Sequence, residues 1–575
     1  MPDFQYSRTS VNYRWIFRES IDENAVHELT DEMKVPAAIA RVLVGRGMSS
    51  ADQVRSFFAP DLSLLHSPWL MDGMEVAVER IEKALQNDEL IWVHGDYDVD
   101  GTSSTALMLD FLRGIGASAD YHIPSRHDEG FGFTPQSVER AVEAGARLII
   151  TVDVGITAVK AVNRAKEYNI DVIIVDHHQA AEELPDAYAI LDPVKPGCDY
   201  PFKDLAACGV AFKLIQALAE RRGNILDANA YLDLVAIASA ADIAPLRGEN
   251  RILSHYGLQL LNLNPRPGLK GLIDCAGLPA GQLNNSSVIF GLAPRINAAG
   301  RLGDPRRAVE MMIQEDELFA FRIAQELEHD NRKRRAIDEE TFEQADLAAH
   351  ALLDGGTRRS LVVHQADWHA GVIGIVASRL VERFHVPSIM LTTIDGVAKG
   401  SARSIREFDI HSALKKCEDL LLEWGGHKHA AGLSLPVENI EELRRRFDMI
   451  AKEHLTADEI TPEIVIDAEL QLNELSPNFL SCLEKFAPYG YSNHRPVFYT
   501  KQVVSANGVK IVGNNHLKFR ALQKNFAMDA IGFNLGHKIA ECSHGKAFSM
   551  VYTLEENLFN GTTTTQIRLK DLRPE

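Results

Sequence analysis

Cysteine is scarce: the 575 residues hold six, and none is paired as Cys-x-x-Cys. Cys198, Cys208, Cys275, Cys417, Cys482 and Cys542 are scattered along the chain, which excludes a disulfide framework and a structural zinc site and fits reduced thiols in a cytosolic enzyme. Long apolar runs are missing too. No stretch approaches the roughly 20 uninterrupted apolar residues of a membrane span, and the best run, Leu234–Ala244, is broken by Asp242. Met1–Trp15 is polar and lacks the apolar core of a signal peptide. These absences predict a cytoplasmic protein with no membrane association. Positive charge is short as well, with 60 Lys and Arg against 80 Asp and Glu, a net charge of -20. Bulk charge of that sign repels nucleic acid and anionic membranes, so taken alone it argues against a DNA-binding protein. No internal repeat and no low-complexity tract is present.

The length suggests roughly three to five domains, and 24 Phe, 13 Tyr and 5 Trp exclude wholesale disorder. Residues 1–75 read as a helical leader. Apolar strands then alternate with helical patterns: Leu90–Val93, Leu148–Val152 and Val172–Val175 are strands, with helix-like stretches over Thr102–Gly114 and Thr157–Tyr168. That alternation means a parallel sheet covered on both faces. Two more helical runs follow, near Ala206–Arg222 and Ala228–Ala241. Residues 304–355 are charged and helical, as one helix or two, and residues 356–458 form a smaller α/β unit. After Pro462, short alternating segments separated by Asn and Gly turns predict a β-barrel over residues 459–575. The fold class is therefore multidomain α/β with a C-terminal barrel.

Chemistry appears where the strands end. His94-Gly-Asp-Tyr-Asp-Val-Asp-Gly101 places Asp96, Asp98 and Asp100 directly after an apolar strand, and in extended backbone the three would point the same way. Like charges this close raise one another's pKa unless a cation neutralises them. Asp153 closes the next strand, and Asp176-His177-His178 closes the one after. In an open parallel sheet all those carboxyl ends lie on one edge, where ligands bind. Asp242 closes the apolar run Leu234–Ala241 and adds a fourth contribution. A mixed Asp/His donor set suits Mn²⁺ or Mg²⁺ better than softer metals. Two ions bridged by one carboxylate would activate water and clamp an in-line phosphoryl displacement.

The motifs GDYDVDG, VDVG and DHH, in this order, resemble those of the DHH phosphoesterase superfamily and, within it, the RecJ family of exonucleases that degrade single-stranded DNA from 5′ to 3′. The resemblance spans nearly the whole chain. It implies that His94, Asp98 and Asp100 carry the first metal-binding motif and that Asp153 bridges two Mn²⁺ or Mg²⁺ ions. It implies further that His177 and Asp242 are ligands, with Asp96, Asp176 and His178 as supporting groups, His178 among the catalytic set. It also implies five segments: a leader (1–75), a DHH catalytic domain (76–303), a connecting helix (304–355), a DHHA1 substrate-binding domain (356–458) and an OB-fold (459–575).

Phosphate-seeking residues lie outside that cluster. Pro294–Gly303 offers Arg295 and Arg301 in a Gly/Ala-rich segment, read either as a phosphate contact or as an ordinary tight loop. Asn331–Arg335 is a basic run, either acid-paired on a solvated helix face or strand-contacting. Trp368–Arg379 opens a helix after a turn, and helix N-termini bind anions. Ser401 and Arg403 lie in Gly400–Ser404. Gly425–Gly432 reads as a glycine-bounded loop in which His427 and His429 are, by composition alone, either a weak His-x-His metal pair or surface residues; its GGHxxAAG pattern resembles the DHHA1 domain. That resemblance implies substrate binding by Ser401, Arg403 and His427. In the barrel, Lys518 and Arg520 are candidate strand contacts. Phe498, Tyr499, His516 and Phe519 are further candidates, about half of them core by alternation. The expected partners are single-stranded DNA and, by resemblance, a single-strand-binding protein and a repair helicase, with the chain itself a monomer. Two other functions remain open: a DHH phosphodiesterase for short oligonucleotides or cyclic dinucleotides, and a catalytically dead DHH scaffold. The second predicts eroded motifs, whereas every carboxylate is present. If the nuclease reading holds, the acids of net charge -20 are partly cation ligands, and Arg295, Arg301, Arg403, Lys518 and Arg520 mark a local basic track.

Overall fold

The computed structural model describes residues 13–19, 21–124, 132–353, 356–543, 545–559 and 562–575. The chain forms two compact units: Pro60–Ala336 with Ala487–His494, and Met1–Ala59 with Ile337–Phe486 and Arg495–Glu575. No helix among the described residues is long and apolar enough to cross a membrane.

The first unit is built on five parallel strands, β1 (Ile91–Gly95), β2 (Ala119–His122), β3 (Leu148–Val152), β4 (Asp171–Val175) and β5 (Ala189–Leu191), in the order β2-β1-β3-β4-β5. Every residue of β1 and β3 is buried, as the continuous apolar strands require. Strand alternation splits them between two cores. Ile91, Val93, Leu148, Ile150 and Val152 pack with helix α1 (Val99–Gly114) on one face. Trp92 and Ile149 pack with helices Pro135–Ala144 and Val159–Glu167 on the other. Helices α2 (Ala207–Arg221) and α3 (Leu232–Ala241) lie on the α1 side. From Leu232 to Ala240 every residue of α3 is buried, the mark of a helix enclosed by its neighbours. Strand order reverses direction between β1 and β3, so a crevice opens at their carboxyl ends.

The segment Pro294–Gly303 folds differently from the expected loop. Val288–Leu292 is a π-helical turn leading into α4 (Ala293–Leu302), so its small residues serve helix packing. The charged region resolves into helix Arg306–Ile313 and the 37-residue helix α5 (Glu317–Leu353), whose residues to Ala336 belong to this unit.

The second unit holds a five-stranded sheet ordered β9-β10-β8-β7-β6, from β6 (Leu361–His364), β7 (Ser388–Ile394), β8 (Val397–Arg403), β9 (Glu423–His427) and β10 (Ala430–Pro436). Only β6 and β7 run parallel, and helix α6 (Ile373–Phe384) connects them. Strands β11 (Phe498–Val512), β12 (His516–Gln523), β13 (Phe526–Gly532), β14 (Phe548–Phe559) and β15 (Thr562–Pro574) close into a barrel, because β11 pairs with both β12 and β14. Closure leaves no open edge. The leader is not wholly helical: strand Arg14–Phe17 pairs in parallel with Glu463–Ile466 before helices Glu23–Met33, Ala37–Gly45 and Ala51–Phe58. Trp15 Nε1 donates to Asp571 Oδ2 at 2.8 Å, tying that strand to the barrel.

A buried charge pair braces the first unit behind the sheet edge. Lys213 of α2, fully buried, lies 2.8 Å from Glu249, which also accepts from the Tyr200 hydroxyl (2.7 Å) and the His66 backbone (2.9 Å). Burial pulls the Lys213 pKa down against the pull of Glu249. Glu249→Ala would leave the buried ammonium with neutral acceptors only, the His66 carbonyl at 2.9 Å and Gln216 Oε1 at 3.4 Å. It should cost about 3–5 kcal/mol in the unfolding transition of this unit, read by denaturant titration, and a loss below about 1 kcal/mol would show the pair to be dispensable.

Candidate active site

The carboxyl ends of all the central strands converge, but not in the extended form the sequence pattern suggested. Only Asp96 continues β1. Asp98 is the N-cap of α1, its Oδ1 accepting from Gly101 N at 3.0 Å, and Asp100 already lies in the first helical turn. The helix can start there because Gly101 packs on the strand end; a Cβ at Gly101 would meet Asp96 O at 2.5 Å. Asp100 is buried and accepts from the Ala207 and Cys208 backbone N–H groups, 2.8 Å each, at the start of α2. A helix N-terminus thus steadies its negative charge.

Asp153 ends β3 with a φ of +63°, a left-handed conformation that Asp tolerates, and its N–H donates to Val175 O at 3.0 Å. Two residues on, Gly155 has φ +122°, and a Cβ there would come within 2.5 Å of Thr151 Oγ1. The turn throws the Asp153 carboxylate toward β4. His177 sits at the centre: its Nε2 is 3.3 Å from Asp153 and 3.9 Å from Asp100, and its Nδ1 is 3.8 Å from Asp242, the C-cap of α3. Asp176 is held by donors from its own turn and from the loop after Asp153. It accepts from the His177 and His178 backbones, from His178 Nδ1 at 2.7 Å, and from Ile156 N at 3.0 Å.

Donor atoms gather in three groups whose members lie within 4.8 Å of one another: Asp153, His177 and His178; Asp100, His177 and Asp242; Asp96, Asp98 and Asp153. Asp153 and His177 are each shared by two groups. Carboxylate oxygens with one or two imidazoles are a donor set for Mn²⁺ or Mg²⁺, and they fit two ions sharing a ligand. Asp96, expected only as a supporting group, stands among the potential ligands. His94 does not; it belongs to none of the three groups. It is buried between His122 and Phe133, with ring centroids 5.7 and 5.1 Å away, and burial and the neighbouring His122 lower its pKa to about 3.

The electrostatics are those of a charge cluster awaiting cations. Burial, then Asp100, Asp98, Asp96 and Asp176, hold the Asp153 pKa well above the usual carboxylate range. Burial and Asp100 push Asp242 up to about 7, although its side chain is 34% exposed. Against the cost of burial, the hydrogen bond with Asp176 and the surrounding carboxylates raise His178 to about 9; for Asp176 burial is the largest single influence, yet the His178 bond and charge, the Ile156 N–H and His177 together keep its pKa low. Sequence reasoning missed Asp192, which follows β5 on the same edge. It is fully buried, and burial brings its pKa up to about 6. Its signal was present, an acid closing an apolar strand, but that strand is only three residues long.

The other candidates lie apart from this cluster. Arg295 does not reach outward: it is buried, its Nε 2.6 Å from Glu328 and its NH1 donating to Gly291 O at 2.6 Å, so its charge is spent inside the unit. Arg301 is half-buried in the last turn of α4. The basic run on α5 is partly paired internally, Arg332 with Glu328 and Arg334 with Asn331. In the second unit, Ser401 and Arg403 share one face of β8, with Arg403 NH1 3.1 Å from Ser401 Oγ. A Cβ at Gly374, in the first turn of α6, would lie 2.9 Å from Ser401 Oγ and 3.2 Å from Arg403 NH2. A hydroxyl, a guanidinium and a helix N-terminus therefore meet, groups whose chemistry suits an anion. Gly425–Gly432 is an exposed hairpin of β9 and β10, not a loop, and His427 stands at its turn. On the barrel, Lys518 and Arg520 are exposed on one face of β12 while Phe519 is buried. Phe498 and Phe519 fill the core, and Tyr499 packs on Trp15 and Phe17. An unexpected aromatic, Phe533, is 44% exposed, with His516 at 4.9 Å and Arg568 stacked at 5.0 Å.

Comparison with known proteins agrees with this geometry. Residues 90–239 match the DHH family N-terminal domain, residues 358–453 the DHHA1 domain, and residues 466–571 the RecJ OB domain. Single-stranded-DNA-specific exonuclease RecJ of Salmonella typhimurium is 34% identical over 98% of this chain and 99% of its own length. The chain belongs to the RecJ family. Its Bacillus subtilis relative, also named single-stranded-DNA-specific exonuclease RecJ, is 38% identical over 97% of this chain and 70% of its own length. The crystal structure of RecJ from Thermus thermophilus in complex with Mn²⁺ superimposes with a TM-score of 0.84 at 28% identity, covering 98% of this chain and 80% of that one. A RecJ structure from the same organism is in complex with Mg²⁺, with a TM-score of 0.77 at 27% identity, over 98% of this chain and 79% of that one.

The titrating groups fix a pH dependence. Raised carboxyl pKa values favour the protonated native state, so Asp242 costs stability as pH rises from its unfolded value near 4 to about 7. His178 stabilises below its unfolded value near 6.5 and loses that contribution as pH rises to about 9. Metal-free protein should therefore melt lower at pH 8 than at pH 6, and the gain in Tm on adding Mn²⁺ should be larger at pH 8. An equal or smaller gain at pH 8, measured by differential scanning fluorimetry, would contradict this charge assignment.

Proposed function

We propose that this protein is an exonuclease that degrades single-stranded DNA from the 5′ end, with two Mn²⁺ or Mg²⁺ ions held by Asp98, Asp100, Asp153, His177 and Asp242, and with Asp96 at the edge of that set. The observation that supports it most is Asp153: a buried carboxylate crowded by four others and shared between two donor groups. When bound, the divalent ions supply charge stabilisation and water activation for phosphodiester hydrolysis. The protein's own groups do the rest. Asp176 holds the His178 ring through Nδ1 at 2.7 Å, which orients that imidazole beside Asp153 and His177. Ser401, Arg403 and the start of α6 would bind a phosphate of the strand, with His427 on the neighbouring hairpin. Lys518, Arg520, Phe533 and Arg568 would carry the strand along the barrel, bases on the aromatic face and phosphates on the cations. We further propose residues 76–303, 356–458 and 459–575 as the catalytic, substrate-seating and strand-binding parts, with residues 1–75 as leader and 304–355 as connector. The setting is DNA repair and recombination in the cytoplasm, by a monomer partnered with a single-strand-binding protein and a helicase.

The direct test is nucleotide release from 5′- and 3′-end-labelled single strands and duplex, with and without Mn²⁺. Wild type should release label first from 5′-labelled single strands and only with the metal. Asp153→Asn should lose roughly a thousandfold or more, the scale of removing a transition-state charge stabiliser. Unchanged activity in that variant would overturn the reading.

For the barrel, Phe533→Ala should weaken binding of a fluorescent oligonucleotide by about tenfold, the worth of one stacked base, while Phe533→Trp should not. Equal anisotropy curves for all three proteins would remove the barrel face from the strand path.

A further inference from the structure

Helix α3 ends in a way that serves folding badly. Asp242 caps it, and the next residue, Ile243, adopts φ +58°. The backbone closes the helix in the usual manner, Ala244 N donating to Ser239 O at 2.9 Å and Ile243 N to Ala240 O at 3.4 Å. Glycine or asparagine is the usual occupant of such a left-handed position, because a branched Cβ is crowded there. Among the described residues, Ile243 is the sole β-branched one at positive φ; most of the others outside glycine are Asn or Asp. Nor does its side chain contribute to the core, since it is 59% exposed, whereas Ala244 and Leu246 just beyond are buried. Its mostly exposed side chain adds little to the core, while its backbone bears the strain. What the residue offers is a rigid apolar surface held toward solvent, one residue from the Asp242 carboxylate that faces His177.

Strain of this kind persists where the side chain has a task outside the fold. We propose that Ile243 is a substrate-contacting residue that packs against the sugar–base face of the nucleotide whose phosphate is engaged beside Asp242. The inference rests on the nuclease reading above. Its chemistry selects the partner: a phosphate gains nothing from an aliphatic branch, whereas the apolar edge of a deoxyribose and the face of a base do. A branched side chain held at a fixed angle also loses little freedom on contact, so it orients a flexible strand end at low entropic cost.

Two variants separate this from a structural role. Ile243→Asn accepts the left-handed conformation and removes the apolar surface, while Ile243→Val keeps a branched apolar surface. Thermal unfolding and steady-state release from 5′-labelled single strands with Mn²⁺ are measured for both and for wild type. Ile243→Asn should unfold about 2–4 °C higher, because the strain is relieved. Its KM should rise about tenfold with kcat within about twofold, and Ile243→Val should match wild type in KM within about twofold. An Asn variant with the wild-type KM, or one that unfolds at lower temperature, would overturn the proposal, the second by making Ile243 a folding contact. Wild type that releases nothing would instead sink the nuclease reading, and this inference with it.

Discussion

Repulsion among carboxylates at one sheet edge is the constraint on which the catalytic unit depends. Asp96, Asp98, Asp100, Asp153, Asp176 and Asp242 converge where β1 and β3 part, and burial amplifies what they do to one another. Such a cluster opposes folding unless each charge is either neutralised or fixed by donors. The molecule does both. Asp100 leans on the N-terminus of α2, and Asp176 is enclosed by two backbone N–H groups from its own turn, one from Ile156, and the His178 ring. Asp153 receives no comparable support and faces His177, so its charge is left for a cation to balance.

Much of the surrounding architecture holds these few atoms in place. The parallel order brings four strand ends to one line, Gly101 lets α1 start against the strand it leaves, and Gly155 permits the turn that swings Asp153 inward. Behind them, α3 is enclosed on all sides and delivers Asp242 at its last turn, while the Lys213–Glu249 pair ties α2 to the helix Gly248–Leu263. The positive φ values at Asp153 and Ile243 fall at the two points where the chain leaves β3 and α3.

Three of the five strands and the acids that close them were legible in the sequence because the signal is local: an apolar strand followed at once by Asp or Asp-His-His leaves little alternative, whereas Ala119–His122 and Ala189–Leu191 are too short to stand out. Asp98 and Asp100 were harder. Strand periodicity runs on through them in the sequence, whereas Asp98 is an N-cap and the helical phase begins at Val99. Arg295 and Gly425–Gly432 misled for the opposite reason. Composition is blind to long-range partners, so neither Glu328, thirty-three positions on, nor the pairing of Gly426 with Ala431 could be read from it. Phe533 follows the last residue of a strand, where alternation stops predicting which way a side chain faces. The net charge of -20 misdirected in the same way, because it averages an acidic cluster at the sheet edge with local cations such as Lys518 and Arg520 on the barrel.

The central claim is that Asp153 would serve as a ligand common to two divalent cations at the crowded strand ends. Anomalous diffraction at the manganese edge from crystals soaked in Mn²⁺ tests it most directly. The account predicts two anomalous peaks, both within coordination distance of the Asp153 carboxylate, with His177 and Asp242 on one side and Asp96 and Asp98 on the other. A single peak, or two peaks of which neither touches Asp153, would contradict it.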